Sequence, residues 1–192
     1  GIVGSLICVY ALGYMKDFQA HDEHEAALRG QTAPDRRPQF LALMFLFLSA
    51  MFVIVTSDNL EWLFCGWEIT TVCSFLMIGY TRTPEAIKNA FNQIILNMLG
   101  GIVFLAGLMF LHLNGMPLTI SGMIELSGAG TAQSALLVMP VVLLSLAALT
   151  KAAQMPFHTW LLGAMVAPTP TSALLHSSTM VKAGVFLMVK LS

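Results

Sequence analysis

The sequence predicts an all-α fold, a polytopic transmembrane bundle of about six helices in which one helix is broken near Pro156. Only 10% of the 192 residues are charged and 57% are hydrophobic, whereas about 25% of the residues in soluble domains are charged. The mean hydropathy is positive, at +0.78. Apolar runs recur along the chain at about the 20-residue length that crosses a bilayer.

The predicted elements follow from the positions of these apolar runs. The six segments lie at 2–15, 39–57, 61–80, 88–112, 135–163 and 171–191. Ser57-Asp58-Asn59 favours a tight turn, so the helices on either side should form an antiparallel hairpin. The Gly-, Ser- and Thr-rich stretch at 113–134 predicts a loop with a short surface helix.

The stretch at 16–38 is charged, contains two prolines and is predicted to be a loop. Its HDEHE run, His21 to Glu25, has a composition that could bind a divalent ion, but short acidic runs are usually solvated, and we assign no metal. Lys and Arg concentrate in this loop and around 82–88, which predicts that both loops are cytoplasmic.

Several classes of function are disfavoured by what the sequence contains. The net charge is −1 and the basic residues are scattered, which argues against nucleic-acid binding. Three cysteines without CxxC spacing indicate apolar packing residues. No phosphate-binding glycine loop or nucleophile motif occurs, so we expect no cofactor on this chain. Since both ends adjoin apolar segments, we expect 1–192 to be a single transmembrane domain from a longer subunit.

Three ionisable residues lie near the middle of apolar segments, namely Glu68, Lys151 and Lys182. Such residues cost several kcal/mol in a bilayer unless they are paired or hydrated, and they mark candidate functional sites. Glu68 and Lys151 fall at similar depth on different segments, which predicts a pair. The pair could be a static clamp between two helices or a switch whose opening changes the protonation of both partners.

Pro156 follows Lys151 by five residues and should break the helix, because proline lacks an N–H and clashes with the carbonyl one turn earlier. In a bilayer such breaks are tolerated where they line water or are buried in protein. The break therefore suggests a hydrated half-channel, with a packing kink as the alternative. Gln154 and His158 lie at i+3 and i+7 from Lys151 and would share its face as channel-lining residues.

Two further polar stripes have helical spacing. His176 and Thr179 precede Lys182 in the last segment, and the imidazole, which titrates near neutral pH, could relay protons or be only a structural hydrogen-bonding group. In the fourth segment the amides are at Asn89, Gln93 and Asn97. These amides would hydrogen-bond between helices or line a hydrated wall, and the first interpretation is favoured.

Two long stretches, SDNLEWLFCGWEITTVCSFLMIGY and LTKAAQMPFHTWLLGAMVAPTPTSALLHSSTMVKAGVFL, resemble the antiporter-like subunits shared by respiratory complex I, the multisubunit Na⁺/H⁺ antiporters and energy-converting membrane-bound hydrogenases. The similarity extends from about residue 40 to the end. The LGAMVAPTP run differs from a common complex I pattern at Gly163 and Val166, and VKAG is closer to the hydrogenase and antiporter members.

The resemblance implies that Glu68 pairs with Lys151 and that His176 passes protons along a hydrophilic axis. It also implies about fourteen helices in two inverted repeats for a complete subunit, of which this chain would hold the first. The expected location is the prokaryotic cytoplasmic membrane. The expected partners are lipid, protons, Na⁺ in some members, and other membrane and peripheral subunits.

Three functions remain open at this point. The first is proton translocation in a redox-driven pump, with Glu68, Lys151, His176 and Lys182 carrying the proton and with flavin, Fe–S or Ni–Fe centres only in partner subunits. The second is a Na⁺/H⁺ antiporter module without redox partners. The third is a structural membrane subunit in which the buried charges are a static clamp.

Overall fold

The computed structural model describes residues 2–28, 30 and 34–192, with the side chains of 176–178 outside the description. Within these residues the chain is helical and has no strand, which confirms the predicted fold class. The helices are α1 Ile2–Leu28, α2 Arg37–Thr56, α3 Leu60–Ile78, α4 Pro84–Leu113, α5 Ile120–Gly128, α6 Ala132–Leu136, α7 Val138–Lys151, α8 Thr159–Gly163, α9 Thr169–Ser172 and α10 Met180–Leu191.

Five stretches of the described chain are long and apolar enough to cross a membrane. They are Arg37–Thr56, Leu60–Thr81, Pro84–Leu113, Ala132–Lys151 and Thr169–Leu191. These correspond to the last five of the six predicted segments. The chain is therefore a multi-pass membrane protein.

The prediction of a loop at 16–38 is wrong for its first part, because α1 continues through the charged residues as far as Leu28. This part is rich in Ala and Glu, which are strong helix formers. Gln19 is buried and donates hydrogen bonds to Glu23 and to the backbone carbonyl of Pro34, which fixes the polar end of the helix. Hydropathy alone therefore underestimates the length of α1.

The predicted hairpin between α2 and α3 is confirmed. Asn59 caps α3, since its side chain accepts hydrogen bonds from the N–H groups of Glu61 and Trp62 at 2.8 and 3.2 Å. Asp58 accepts from the N–H and hydroxyl of Ser121 at 3.2 and 2.7 Å. The same turn thus holds α5, the short helix predicted between 113 and 134.

The core is formed where α3, α4 and α7 pack together, with α2 against α3 and α10 against α7. Bulky side chains including Trp67, Phe104 and Trp160 are fully buried there. Gly184 brings α10 against the backbone of α7, because a Cβ at this position would overlap Ala148 O and Ala152 N. At the start of α2, Arg37 forms an ion pair with Asp35, and its hydrogen bonds lower the pKa of Asp35 to about 2.

Candidate functional site

The break predicted near Pro156 is confirmed, but the helix ends earlier, at Lys151. Ala153 adopts a left-handed conformation, with φ of +50°, which turns the chain out of the helix. The carbonyl groups released by the break have partners. Leu149 O accepts from the N–H of Gln154 at 3.1 Å, and Thr150 O accepts from the Trp160 indole at 3.0 Å. The end of α7 is therefore a defined structure.

Lys151 is fully buried at this helix end and is held by α3. Its Nζ donates to the backbone carbonyl of Trp67 at 2.5 Å and to the Thr71 hydroxyl at 2.9 Å. The same nitrogen lies 4.7 Å from the centroid of the Trp67 ring, a distance typical of a cation–π contact. A carbonyl, a hydroxyl and an aromatic face thus replace the water that a lysine ammonium would otherwise bind.

Glu68 lies beside this site without forming the predicted contact. Among the described residues, its carboxylate makes no ion pair with Lys151 within 4.0 Å. Its Oε1 is buried and accepts no hydrogen bond from a described residue. The carboxylate lies against α4, where Gly101 leaves room for it, since a Cβ there would overlap Oε1. The two groups therefore face different neighbours, Lys151 facing α3 and Glu68 facing α4.

Buried hydrogen bonds extend from Thr71, one of the residues that bind Lys151, into the interface between α3 and α4. Ser74 donates to the carbonyl of Thr71 at 2.8 Å, and Gln93 Nε2 donates to Ser74 Oγ at 2.7 Å. Asn97 Nδ2 donates to the carbonyl of Gln93 at 3.0 Å. All four side chains are at most 1% exposed. The favoured prediction that these amides bond between helices is confirmed for Gln93.

Sequence reasoning missed the contribution of Trp67 and Ser74. Both lie on the face of α3 that carries Thr71, because they are four residues before and three residues after it. This helical spacing is the feature of the sequence that could have identified Trp67 and Ser74. It does not show which side chain or backbone group receives the lysine.

The prediction that Gln154 and His158 share the helical face of Lys151 is wrong, because α7 ends before either residue. These two residues and Pro156 are exposed in the turn that follows. Their role as channel-lining groups stays a prediction.

The last segment is also irregular. A π-helical turn, Ala173–Ser178, precedes α10, and Thr179 leaves the helical conformation with φ of −141°. The Thr179 hydroxyl donates to Leu174 O at 2.8 Å. His176 belongs to the π turn, but its side chain lies outside the described residues, so its predicted relay role is untested.

Its place near the middle of the last apolar segment suggests that Lys182 is buried, but in the described chain it is not. Lys182 is exposed and lines a groove of about 280 Å³ between α2 and α10, together with Thr179 and apolar residues of α2 such as Met51. Because α10 packs on α7 through its Gly184 side, the face that carries Lys182 is left open.

The side chains around Lys151 supply proton donors and acceptors. The set, which we call the buried seam, comprises Lys151, the carboxylate of Glu68, the hydroxyls of Thr71 and Ser74, and the amides of Gln93 and Asn97. Within the described part of the chain, no three His, Cys, Asp or Glu side chains cluster as metal ligands would.

If the chain conducts protons, as the resemblance implies, replacing Gly101 by alanine should lower proton transport about tenfold. The new Cβ would occupy the space of Glu68 Oε1 and push the carboxylate away from its position. Transport per assembled complex is the measurement. Gly107→Ala is the matched control on α4, because its Cβ would meet only leucine side chains of α7. Equal transport by both variants would contradict a role for the Glu68 position.

Comparison with known proteins adds to this geometry. The family model described as NADH:quinone oxidoreductase/Mrp antiporter, transmembrane, matches residues 57–192. The chain is 36% identical over 191 residues to Na(+)/H(+) antiporter subunit A1 of Staphylococcus haemolyticus. That alignment covers 99% of this chain and 22% of the relative, so the chain spans about a fifth of its length.

Two solved structures share the fold. A chain of the Mrp complex from Dietzia sp. DQ12-45-1b is 35% identical with a TM-score of 0.70, and the match covers 79% of this chain and 16% of that one. A chain of the archaeal membrane-bound sulfane sulfur reductase is 22% identical with a TM-score of 0.71, covering 80% of this chain and 31% of that one. At that identity the second likeness concerns the fold alone.

The bacterial relatives and the five candidate spans place the chain in the cytoplasmic membrane as a multi-pass protein. The family match covers α3, α4 and α7, the three helices that surround Lys151. The buried lysine, the broken helix and the sequence match lead to one conclusion: the chain belongs to the NADH:quinone oxidoreductase/Mrp antiporter transmembrane family.

Proposed function

We propose that this chain is the proton-conducting part of a membrane subunit in a multisubunit Na⁺/H⁺ antiporter, with Lys151 as the residue that takes up and releases the proton. The observation that carries the proposal is a fully buried lysine held by two hydrogen bonds and an aromatic ring at a helix break. An ionisable residue in a membrane interior is rare and is usually functional.

In this mechanism Lys151 alternates between two surroundings. The first is the observed one, in which Trp67 O and Thr71 Oγ1 receive the ammonium. In the second, the ammonium faces Glu68, whose Oε1 has no described partner. A nearby carboxylate favours the charged lysine and burial favours the neutral one, so movement relative to Glu68 would load or release a proton. His176 and Lys182 would receive it.

The antiporter is favoured over a redox pump because of the relatives. The Staphylococcus relative is named as a Na(+)/H(+) antiporter subunit, and the 35% identical structure is an Mrp complex. Since the chain spans only part of each of these proteins, the partners that we propose are the other membrane and peripheral subunits of such a complex.

A redox-driven complex is the second candidate, because the family description also includes NADH:quinone oxidoreductase. The proposed roles of Glu68 and Lys151 would be unchanged in it. Electron-transfer groups would then be held by partner subunits and not by this chain.

The two candidates differ in what drives the proton. We would reconstitute the intact parent complex in proteoliposomes, impose a pH gradient and follow the internal pH after adding Na⁺, with choline as the control cation. The antiporter predicts proton movement on Na⁺ addition and none with choline. Proton uptake that needs an electron donor and ignores Na⁺ would contradict the antiporter and support the redox pump. Absence of proton movement under both conditions would contradict both.

A further inference from the structure

The amide side chains of α4 form a stripe that leads from its first turns into the bundle. Asn89 is half-buried, and its Oδ1 faces Gly163, where a Cβ would lie 3.0 Å away. Gln93 is fully buried and Asn97 is 1% exposed. The stripe therefore begins near the loop between α3 and α4 and ends at the depth of the buried seam.

The two deeper amides each have an oxygen without a hydrogen-bond partner among the described residues. Gln93 donates through Nε2 to Ser74, and Asn97 donates through Nδ2 to the carbonyl of Gln93. Gln93 Oε1 and Asn97 Oδ1 are buried and accept no hydrogen bond from a described residue. Turning the Gln93 amide over does not help, because Ser74 can satisfy only one of its two ends.

Hydrogen bonding between helices does not account for these oxygens. The contact between helices uses Nε2 of Gln93, and it leaves the side-chain oxygens Gln93 Oε1 and Asn97 Oδ1 without a donor among the described residues. A buried acceptor in this state costs free energy comparable to a lost hydrogen bond. Buried water molecules typically make about three hydrogen bonds, and they commonly satisfy such groups. The two oxygens lie one helical turn apart on one face, a spacing that one or two water molecules can serve.

The amide site reaches Thr71, which also binds Lys151, but it does so through the backbone carbonyl of Thr71 and not through the hydroxyl. Ser74 receives the hydrogen bond from Gln93 and donates to the carbonyl of Thr71. The Thr71 hydroxyl in turn accepts from Lys151 Nζ. Serine and threonine hydroxyls can donate and accept at once, so a water molecule between the Ser74 and Thr71 hydroxyls would complete a proton-conducting chain.

We infer that Gln93 and Asn97 bind water between α3 and α4, and that this water, with Ser74 and Thr71, forms the branch by which protons reach Lys151 from the α3–α4 loop side. The inference rests on the proposed function of Lys151. It assigns to the amide stripe a binding role for water in addition to its contact between helices.

The first test replaces the water-binding amide by an apolar group of similar size. In the intact complex in proteoliposomes, Gln93→Leu should lower proton transport per assembled complex about tenfold. Asn92→Leu is the matched control, since it makes the same kind of change at a half-buried amide on a neighbouring face of α4. Gln93→Ser, which leaves space for an added water, should transport faster than Gln93→Leu. If Gln93→Leu reduces only the yield of assembled complex, with an unchanged rate per complex, the amide is structural and the inference fails.

The second test measures water access without measuring transport. In the complex carrying alanine at all three native cysteines of this chain, Gln93→Cys should react with a small charged thiol reagent added from the α3–α4 loop side. Ile95→Cys, on the outer surface of α4, should not react, because a thiol in lipid stays protonated. An unreactive thiol at position 93 would overturn the inference. If Lys151→Met transports normally, the proposed function fails, while the labelling of position 93 still decides whether water reaches the amides.

Discussion

Replacing Lys151 by methionine is expected to lower proton transport about a hundredfold or more, while the complex still assembles. Methionine is unbranched and similar in length, so it can fill the space of the buried lysine without carrying a proton. Removing the ammonium does not strand its acceptor, because Trp67 O still accepts from the hydroxyls of Thr70 and Thr71. The measurement is proton transport in proteoliposomes, normalised to the amount of assembled complex.

Lys190→Met is the matched control for this experiment. Lys190 is also a lysine near an aromatic ring, with Nζ 5.0 Å from the centroid of Phe186, but it lies at the end of α10 and is half-buried. The control should transport at the wild-type rate. Wild-type transport by Lys151→Met would show that the buried lysine is a structural clamp.

Replacing Gly184 by valine is expected to prevent stable packing of α10 on α7. The added Cβ would overlap Ala148 O and Ala152 N, and these are backbone atoms that cannot turn away as a flexible side chain can. Overpacking costs about 1–3 kcal/mol when side chains can adjust, and this site should be at the upper end. The measurement is the thermal stability of the purified complex and its yield.

Gly13→Val provides the control, since a Cβ at this helical position meets no atom within 4 Å. It should leave stability unchanged within the effect of a surface substitution. If Gly184→Val assembles with wild-type stability, the close contact between α7 and α10 is not required. That result would also show that packing through Gly184 is not what leaves Lys182 exposed.

Local chemistry made one turn and one helix break predictable, but not the ends of α1 and α7. Ser57-Asp58-Asn59 indicated the hairpin because asparagine and aspartate cap and turn well. In the structure Asn59 caps α3, and Asp58 accepts hydrogen bonds from Ser121 at the start of α5. Pro156 indicated the break because a proline cannot continue a helix. These signals act within a few residues, and a sequence displays them directly.

The arrangement around Lys151 was less predictable. Position along a segment gives the depth of Glu68 and Lys151, but not the directions in which they project once three helices pack. The glycines of α4 decide this, since Gly101 admits the carboxylate of Glu68 and Gly100 lies against Thr150. The position of Lys182 along its segment likewise predicts its depth in the membrane. Its exposure cannot be predicted in this way, because it depends on which face of α10 packs on α7.

Three side-chain donors point at the backbone carbonyl oxygen of Trp67. It accepts from Thr70 Oγ1 at 2.8 Å, from Thr71 Oγ1 at 3.1 Å and from Lys151 Nζ. A carbonyl oxygen has two lone pairs, so the three side-chain donors compete for it. When the ammonium departs, both hydroxyls can keep their bonds to this oxygen, so the departure leaves no buried acceptor unpaired. If Lys151 moves as proposed, the shared carbonyl would reduce the free-energy difference between its two positions.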